Sequence, residues 1–118
     1  WSFTPPPSRV LFLNDATSIT AAGDHACAMN QSGDVSCWGE NTEGCLGDRS
    51  ILRRRSPVDV LELWQPASAV ATGLNFSCAA ISSGGVRCWG SNSFGQLGDG
   101  RNTGESYIPI EVLWPGID

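Results

Sequence analysis

Short apolar runs separated by glycine-containing turns are the main pattern of this chain. Alternating segments at Ala26–Asn30 and Val35–Gly39 flank the loop sequence QSG. Further along, Ala79–Ile81 and Val86–Gly90 flank SSG in the same way. A three-residue loop that ends in glycine favours a β-hairpin, because its last residue adopts a left-handed backbone. The pattern therefore predicts two hairpins, each closed by the glycine of its loop.

Two further strand signals accompany each hairpin. A weakly alternating segment that leads into a glycine precedes each one, at Ser18–Gly23 and Ser68–Gly73. Another segment follows after a variable loop, at Pro57–Leu63 and Pro109–Trp114. Four short antiparallel strands in about 50 residues are the size of one β-propeller blade. We therefore predict an all-β fold with about two four-stranded antiparallel propeller-type blades, part of a larger or oligomeric propeller.

The two halves of the chain are copies of one repeat. The stretch CAMNQSGDVSCWGENTEGCLGD, which begins at Cys27, returns as CAAISSGGVRCWGSNSFGQLGD from Cys78, with 13 of 22 positions identical. We expect the tail of a preceding repeat at residues 1–13, a first repeat at 14–64 and a second at 65–118. Two blades cannot close a propeller, and stacked repeats need something to cover their ends. Either the chain is a piece of a longer array, or several copies assemble.

Composition excludes some classes of partner. The net charge is -5, and the seven basic residues are all arginines, so the chain has no electrostatic reason to bind nucleic acid. The one basic cluster, Arg53–Arg55, is interpreted as a solvated loop. The apolar runs are too short to cross a bilayer, and no signal-peptide pattern precedes them. We therefore expect protein partners and no membrane insertion.

Five cysteines are many for 118 residues. If Asn30 closes the first hairpin opposite Asp34, Cys27 lies directly opposite Cys37, and the same count places Cys78 opposite Cys88. Facing residues on neighbouring strands are near the separation that a disulfide tolerates. We predict two disulfides; the alternative is four buried free thiols between blades. The fifth cysteine, Cys45, has no counterpart, and either forms an intermolecular bridge or stays a free thiol.

The full motif, GxxHxCAxxxxGxVxCWGxNxxGxLGD, resembles the repeat of the regulator of chromosome condensation family. That family builds β-propellers, and the variant with both cysteines is similar to forms found in secreted and surface proteins. The resemblance implies that the shared tryptophans pack between blades and that the glycines and asparagines shape a compact loop. These repeat residues are Trp38, Gly39, Asn41, Gly44, Leu46, Gly47, Trp89, Gly90, Asn92, Gly95, Leu97 and Gly98.

The sequence contains almost no residues or motifs that are typical of catalytic sites. The single histidine, His25, lacks a partner cysteine pair at zinc-ligand spacing, and no phosphate-binding glycine loop or nucleophile motif occurs. We predict no enzyme activity, no cofactor and no metal. Two sequons, at Asn30 and Asn75, would accept glycans in a eukaryotic secretory pathway.

These observations predict a non-catalytic interaction module. We expect it to belong to an extracellular or cell-surface propeller-repeat protein that self-assembles into a ring or filament. Three apolar residues, expected in equivalent strands of the repeats, are candidate contacts: Phe12, Trp64 and Trp114. The alternative is a fragment of an intracellular propeller regulator, such as a guanine-nucleotide exchange factor for a small GTPase.

Overall fold

Eight strands form two four-stranded antiparallel sheets, with strand order following chain order in each. The computed structural model describes residues 10, 13, 15–100 and 104–112. The first sheet lies within the first predicted repeat and the second sheet within the second, and the predicted all-β blade architecture is confirmed. The strands are β1 (Ala16–Ala22), β2 (His25–Asn30), β3 (Val35–Gly39), β4 (Arg54–Asp59), β5 (Ala67–Gly73), β6 (Phe76–Ile81), β7 (Val86–Gly90) and β8 (Ser106–Glu111).

The hairpin registers agree with the count made from the sequence. In the first hairpin the Asn30 N–H donates to the Asp34 carbonyl at 3.1 Å, and Gly33 has a φ of 86°. Cys27 then pairs with Cys37 across β2 and β3. The second hairpin repeats the geometry and pairs Cys78 with Cys88. Local turn chemistry therefore fixes which residues face each other.

The fourth strands differ from the predicted segments. They were expected at Pro57–Leu63 and Pro109–Trp114, but both begin three residues earlier and end several residues earlier. The prolines do not open these strands. Each proline lies where the pairing register shifts. The shift is between Cys37 and Gly39 on β3 and between Cys88 and Gly90 on β7. Proline lacks a backbone N–H, so it fits a bulge where no ladder bond is required.

The core lies between the two sheets, where β1 and β2 pack against β5. Its buried members come from both repeats and from the linker. They are Cys27, Val35, Cys37, Cys45, Leu46, Leu63, Ala67, Ala79, Ile81 and Trp89. The sheets therefore bury each other, as neighbouring repeats in a stacked array must.

No helix in the described part of the chain is long and apolar enough to cross a membrane. The same residues contain no cluster of three or more histidine, cysteine, aspartate or glutamate side chains arranged to hold a metal ion. Two of the candidate contact residues, Phe12 and Trp114, lie outside the described residues, as does most of the predicted tail at residues 1–13.

Candidate interaction surface

A buried hydrogen-bonded chain joins the two sheets. The Ser77 hydroxyl donates to the Cys45 carbonyl at 2.8 Å. Because that bond uses the only hydroxyl proton, His25, whose Nε2 lies 2.9 Å from the Ser77 Oγ, is the donor to that oxygen. Burial lowers the pKa of His25, although a backbone hydrogen bond with Phe76 partly raises it. The imidazole is thus a neutral structural link, and Ser77, which is completely buried, cannot act as a nucleophile.

Cys45 is buried with 1% of its surface exposed. Its thiol donates to the Glu40 carbonyl at 3.3 Å, and burial raises its pKa to about 11. A thiol that is protonated and out of reach of solvent is a poor partner for a disulfide with another molecule. Within the described chain Cys45 is a free thiol, and the choice between an intermolecular bridge and a free thiol stays a prediction.

The other four cysteines occur as two cross-strand pairs. The structure joins Cys27 to Cys37 and Cys78 to Cys88, with Cα atoms 4.0 Å apart in both pairs. The first pair is buried between the sheets, whereas Cys78 lies on an uncovered sheet face and is half-buried. The two pairs are therefore alike in register and different in access to solvent.

The loop after each hairpin is organised by its asparagine. The Asn41 side chain accepts from the Leu46 N–H at 2.9 Å and donates to the carbonyls of Ser50 and Leu52 at 2.8 and 3.1 Å. Asn92 likewise accepts from the Leu97 N–H at 3.1 Å. These buried amides replace regular backbone pairing and hold the loop compact. The six glycines shared by the two repeats in this stretch all have positive φ: Gly39, Gly44, Gly47, Gly90, Gly95 and Gly98.

An ion pair stabilises the first of these loops. Asp48 accepts from the Arg54 Nε at 2.8 Å and from the Ser50 hydroxyl at 2.7 Å. Burial alone would raise the pKa of Asp48, but the hydrogen bonds from Ser50, Arg54 and Asn41 outweigh it and leave the pKa below its ordinary value. In the basic cluster, Arg53 bonds Glu40 at 3.2 Å. Two of the three arginines in the cluster therefore form ion pairs at this loop.

The two repeat tryptophans occupy equivalent positions but differ in how far they are buried. Trp89 is completely buried, and a Cβ added at Gly47 of the first repeat would lie 2.8 Å from its Nε1. Trp38, its counterpart, is only half-buried, because no sheet covers it among the described residues. A tryptophan therefore packs between blades wherever a preceding blade is present.

Trp64 is the most conspicuous candidate for contact with another molecule. It lies in the linker between β4 and β5, outside any strand, with 75% of its surface exposed and a φ of 71°. The expectation that it belongs to the fourth strand is wrong, because that strand ends at Asp59. The linker crosses the first hairpin loop, where the Ala67 N–H donates to the Gly33 carbonyl at 2.9 Å.

A groove of 510 Å³ runs beside Trp64 between the linker and the hairpin. Its walls include the apolar side chains of Val60, Leu61 and Leu63. Its lining carries three carboxylates and no basic side chain; the carboxylates are those of Asp34, Asp59 and Glu62. Glu62 is ion-paired with Arg49, which lies outside the lining. The groove can therefore offer an aromatic ring and negative charge to a partner.

Both sequons lie where a strand meets a turn. Asn30 is half-buried, and its side chain donates to Asp34 at 3.2 Å and accepts from the Asp34 N–H at 2.9 Å. Asn75 lies in the tight turn between β5 and β6 with a φ of 63°. Glycosylation at either position stays a prediction.

The repeat pattern described as Regulator of chromosome condensation (RCC1) repeat matches residues 16–45 and 67–96. A second pattern of the same description matches residues 32–80. The chain belongs to the RCC1 repeat family. The resemblance drawn from the motif is thereby confirmed.

Relatives that match most of the chain include proteins named as regulators and others named as E3 ubiquitin-protein ligases. The Secretion-regulating guanine nucleotide exchange factor of Mus musculus is 30% identical over 110 residues, which are 89% of this chain and 24% of that protein. The Regulator of chromosome condensation of Drosophila melanogaster is 35% identical over 109 residues, 90% of this chain and 20% of that protein. The chain thus spans about a quarter or less of these two relatives.

A solved structure shows the same fold. Prp20p of Saccharomyces cerevisiae, whose structure was described with its binding properties to Gsp1p and histones, aligns with a TM-score of 0.78 at 19% identity. The alignment covers 94% of this chain and 29% of Prp20p. The two sheets therefore superpose on a section of an RCC1-type propeller.

Sequence reasoning missed the residues that join the sheets, above all Ser77. A signal was present in the aligned repeats. Position 25 is histidine and the next is alanine, whereas the corresponding pair in the second repeat is Phe76 followed by Ser77. Across the interface the first repeat's histidine meets the second repeat's serine.

Proposed function

We propose that this chain is a non-catalytic protein-interaction module of an intracellular propeller regulator of the guanine-nucleotide-exchange type. The observation that carries the proposal is its similarity, over about nine-tenths of its length, to a guanine nucleotide exchange factor and a regulator of chromosome condensation. Protein partners are expected because the neighbour Prp20p was studied for binding to Gsp1p and histones. A secreted or surface location has no support from these relatives.

The Trp64 groove supports the same proposal from this chain's own residues. Exposed tryptophans are enriched among the side chains that dominate binding energy in protein interfaces. Arg49 balances the charge of Glu62, but the other two lining carboxylates, Asp34 and Asp59, favour a partner segment with positive charge. That charge accelerates encounter and fixes the orientation of the partner. We therefore place the partner contact on the groove formed by the linker and the first hairpin.

Binding of the 118-residue chain to candidate partners tests this function. Immobilised chain is exposed to a panel of small GTPases that includes Gsp1p, and separately to core histones. We expect saturable binding to at least one, weakened about tenfold or more by Trp64→Ala, as a central aromatic contact implies. Leu52→Ala removes a similarly exposed apolar side chain outside the groove and should leave binding unchanged. Absence of saturable binding to every probe, or equal loss in both variants, contradicts the proposal.

A second candidate, a secreted or surface module, is favoured by one observation. Both hairpins place two cysteines opposite each other, and the structure bonds them. Disulfides persist in oxidising compartments and are rare in the reducing cytosol. Alkylation under denaturing conditions, on protein taken from its source before any reduction, separates the candidates. Cysteine pairs that do not alkylate favour the secreted module, and five alkylated thiols favour the intracellular regulator.

A further inference from the structure

Ser56 carries a hydroxyl that neither the loop contacts nor the Trp64 groove uses. It follows three consecutive arginines and precedes a proline, in the order Arg53, Arg54, Arg55, Ser56, Pro57. Among the described residues the Ser56 hydroxyl has no hydrogen-bond partner. Kinases select a serine largely by the pattern of charges around it. A basic run that ends in an unbonded serine is therefore a candidate site of phosphorylation.

The backbone around Ser56 already has the form that an enzyme groove requires. Ser56 lies in β4, which is the outermost strand of its sheet. In the described part of the chain β4 pairs with β3 on one edge only. A groove that reads successive side chains binds an extended segment. The strand therefore offers Ser56 in an extended segment with one unpaired edge.

Pairing between β4 and β3 is interrupted at Ser56. The register shifts between Cys37 and Gly39, so that three residues of β4, Ser56 among them, face the single residue Trp38. Extra residues in a bulge are left out of the ladder, and a segment with fewer backbone bonds opens at lower cost. Ser56 is half-buried, and it can therefore become accessible without unfolding of the sheet.

The second sheet shows that this accessibility does not depend on where the chain begins. Its fourth strand, β8, has a preceding sheet beside it, and the facing pairs of the two repeats place Glu105 and Ile108 at the positions of Arg53 and Ser56. Glu105 is exposed and Ile108 is half-buried. A preceding sheet beside β4 would therefore leave both positions accessible to a similar degree.

Arg53 is available for recognition, whereas Arg54 is not. The Arg53 side chain is 58% exposed and pairs at 3.2 Å with Glu40, which is itself 45% exposed. Exposed pairs of this kind contribute little to stability, so a carboxylate of an enzyme can replace Glu40. Arg54 pairs at 2.8 Å with Asp48, whose side chain is 8% exposed, and stays with its loop. Arg53, three residues before the serine, is therefore the arginine that an enzyme would bind.

Pro57 defines the class of enzyme. Proline has no backbone N–H, and it holds the residue before it in an extended conformation. A kinase that needs a hydrogen bond from the N–H after its serine would reject this site. A proline-directed kinase, which needs no such bond, would accept it.

We propose that Ser56 is a phosphorylation site for a proline-directed serine kinase whose substrate groove carries a carboxylate for Arg53. The Ser56 Oγ attacks the γ-phosphorus of ATP, the bond from that phosphorus to the bridging oxygen breaks, and ADP leaves with the electron pair. The hydroxyl proton passes to the catalytic aspartate of the kinase. The phosphate adds about two negative charges to the outer edge of the first sheet. The proposal rests on the intracellular location in the proposed function, where ATP is the donor.

Ser106, in the fourth strand of the second sheet, is the matched contrast within the chain. It also lies in an outermost strand, but Glu105 precedes it and Tyr107 follows it. Its hydroxyl is already bonded, since it donates to the Ile108 carbonyl at 2.6 Å. We therefore expect no phosphate on Ser106.

Treatment of the folded 118-residue chain with ATP and kinase tests the proposal. The probes are recombinant cyclin-dependent kinases and dual-specificity tyrosine-regulated kinases, each also run on a peptide of residues 51–61. Peptide mass spectrometry locates the phosphate. Ser56→Ala removes the acceptor and Arg53→Ala removes the recognised charge, whereas Arg87→Ala removes a charge from the second sheet as the control. Circular dichroism checks that each variant folds.

We expect phosphate on Ser56 of the folded chain and none at that position in Ser56→Ala. Arg53→Ala should lower kcat/KM about tenfold or more, as loss of a charge-assisted hydrogen bond implies, and Arg87→Ala should leave it unchanged.

A peptide that is phosphorylated while the folded chain is not would show that the fold conceals Ser56, which overturns the proposal. So does phosphate only on other residues, no phosphate on either substrate, or equal rates for Arg53→Ala and the wild type. No binding partner takes part in the assay, so its failure is distinct from a failure of the proposed function.

Discussion

Gly44 and Gly95 occupy equivalent positions in the two repeats, so substituting each one compares the cost of backbone strain with the cost of a clash between blades. Gly44 and Gly95 have φ values of 83° and 74°. A Cβ at Gly44 would lie 2.4 Å from the Tyr107 Cδ1, whereas a Cβ at Gly95 meets nothing within 4 Å. Gly95→Ala should therefore cost only left-handed strain, about 1–2 kcal/mol. Gly44→Ala should cost about 1–3 kcal/mol more because it overpacks the interface.

Urea unfolding of both variants, at a concentration where the wild type is monomeric, measures this difference. Equal losses of unfolding free energy would mean that Tyr107 does not press on the first sheet's loop. At the residue scale, then, a glycine at the same position of both repeats is required for different reasons. The left-handed backbone is required in both repeats, but the absence of a side chain is required only where another sheet is present.

At the scale of the secondary-structure element, each hairpin contains its own disulfide. Each cysteine pair closes a loop with a sequence separation of 10 residues. In the chain-entropy description such a loop stabilises the folded state by about 2–3 kcal/mol. The two hairpins differ in one respect that matters for reactivity: Cys27 and Cys37 are both buried between the sheets, whereas Cys78 is accessible.

Stepwise reduction of the oxidised monomer should open the Cys78–Cys88 pair first. A reducing thiolate must reach a sulfur atom, and only the second hairpin offers one on an uncovered face. Alkylation after increasing times in dithiothreitol, followed by peptide mass spectrometry, gives the order. Simultaneous release of both pairs, or earlier release of Cys27–Cys37, would contradict the difference in burial. Five thiols that alkylate after denaturation without reductant would show that no disulfide forms.

At the scale of the whole molecule, pH acts through the histidine between the sheets. His25 has a lowered pKa in the folded protein because it is buried. The unfolded chain therefore binds more protons than the folded chain once the pH falls below about 6.5. The stability is fully present above pH 6.5 and decreases as the pH falls towards the folded pKa. The slope cannot exceed about 1.4 kcal/mol per pH unit for one proton.

His25→Gln tests this linkage because glutamine keeps an N–H donor for Ser77 and does not titrate. We expect the unfolding free energy of the wild type to fall between pH 7.5 and pH 5, and that of the variant to change much less. Asp48 has a lowered pKa and stays ionised in this range, so it adds no slope. Identical slopes in the two proteins would place the titrating group elsewhere.

Much of the blade could be predicted from sequence because its signals are local. Strand alternation, the loop glycines and the hairpin count fix β2, β3, β6 and β7 and the opposition of Cys27 to Cys37. The fourth strands were misplaced because a proline resembles a strand boundary, and only the pairing with β3 and β7 shows that it occupies a bulge.

The sequence by itself determined the repeat, the blade and the register, since each depends on residues a few positions apart. Only the tertiary structure decided which of two equivalent residues is covered. Trp89 is buried and Trp38 is not, and Cys45 is enclosed although its counterpart Gln96 is half-buried. Identical local sequences give identical strands, but burial depends on the sheet that packs alongside. Among the described residues, each sheet packs against another sheet on one of its two faces only.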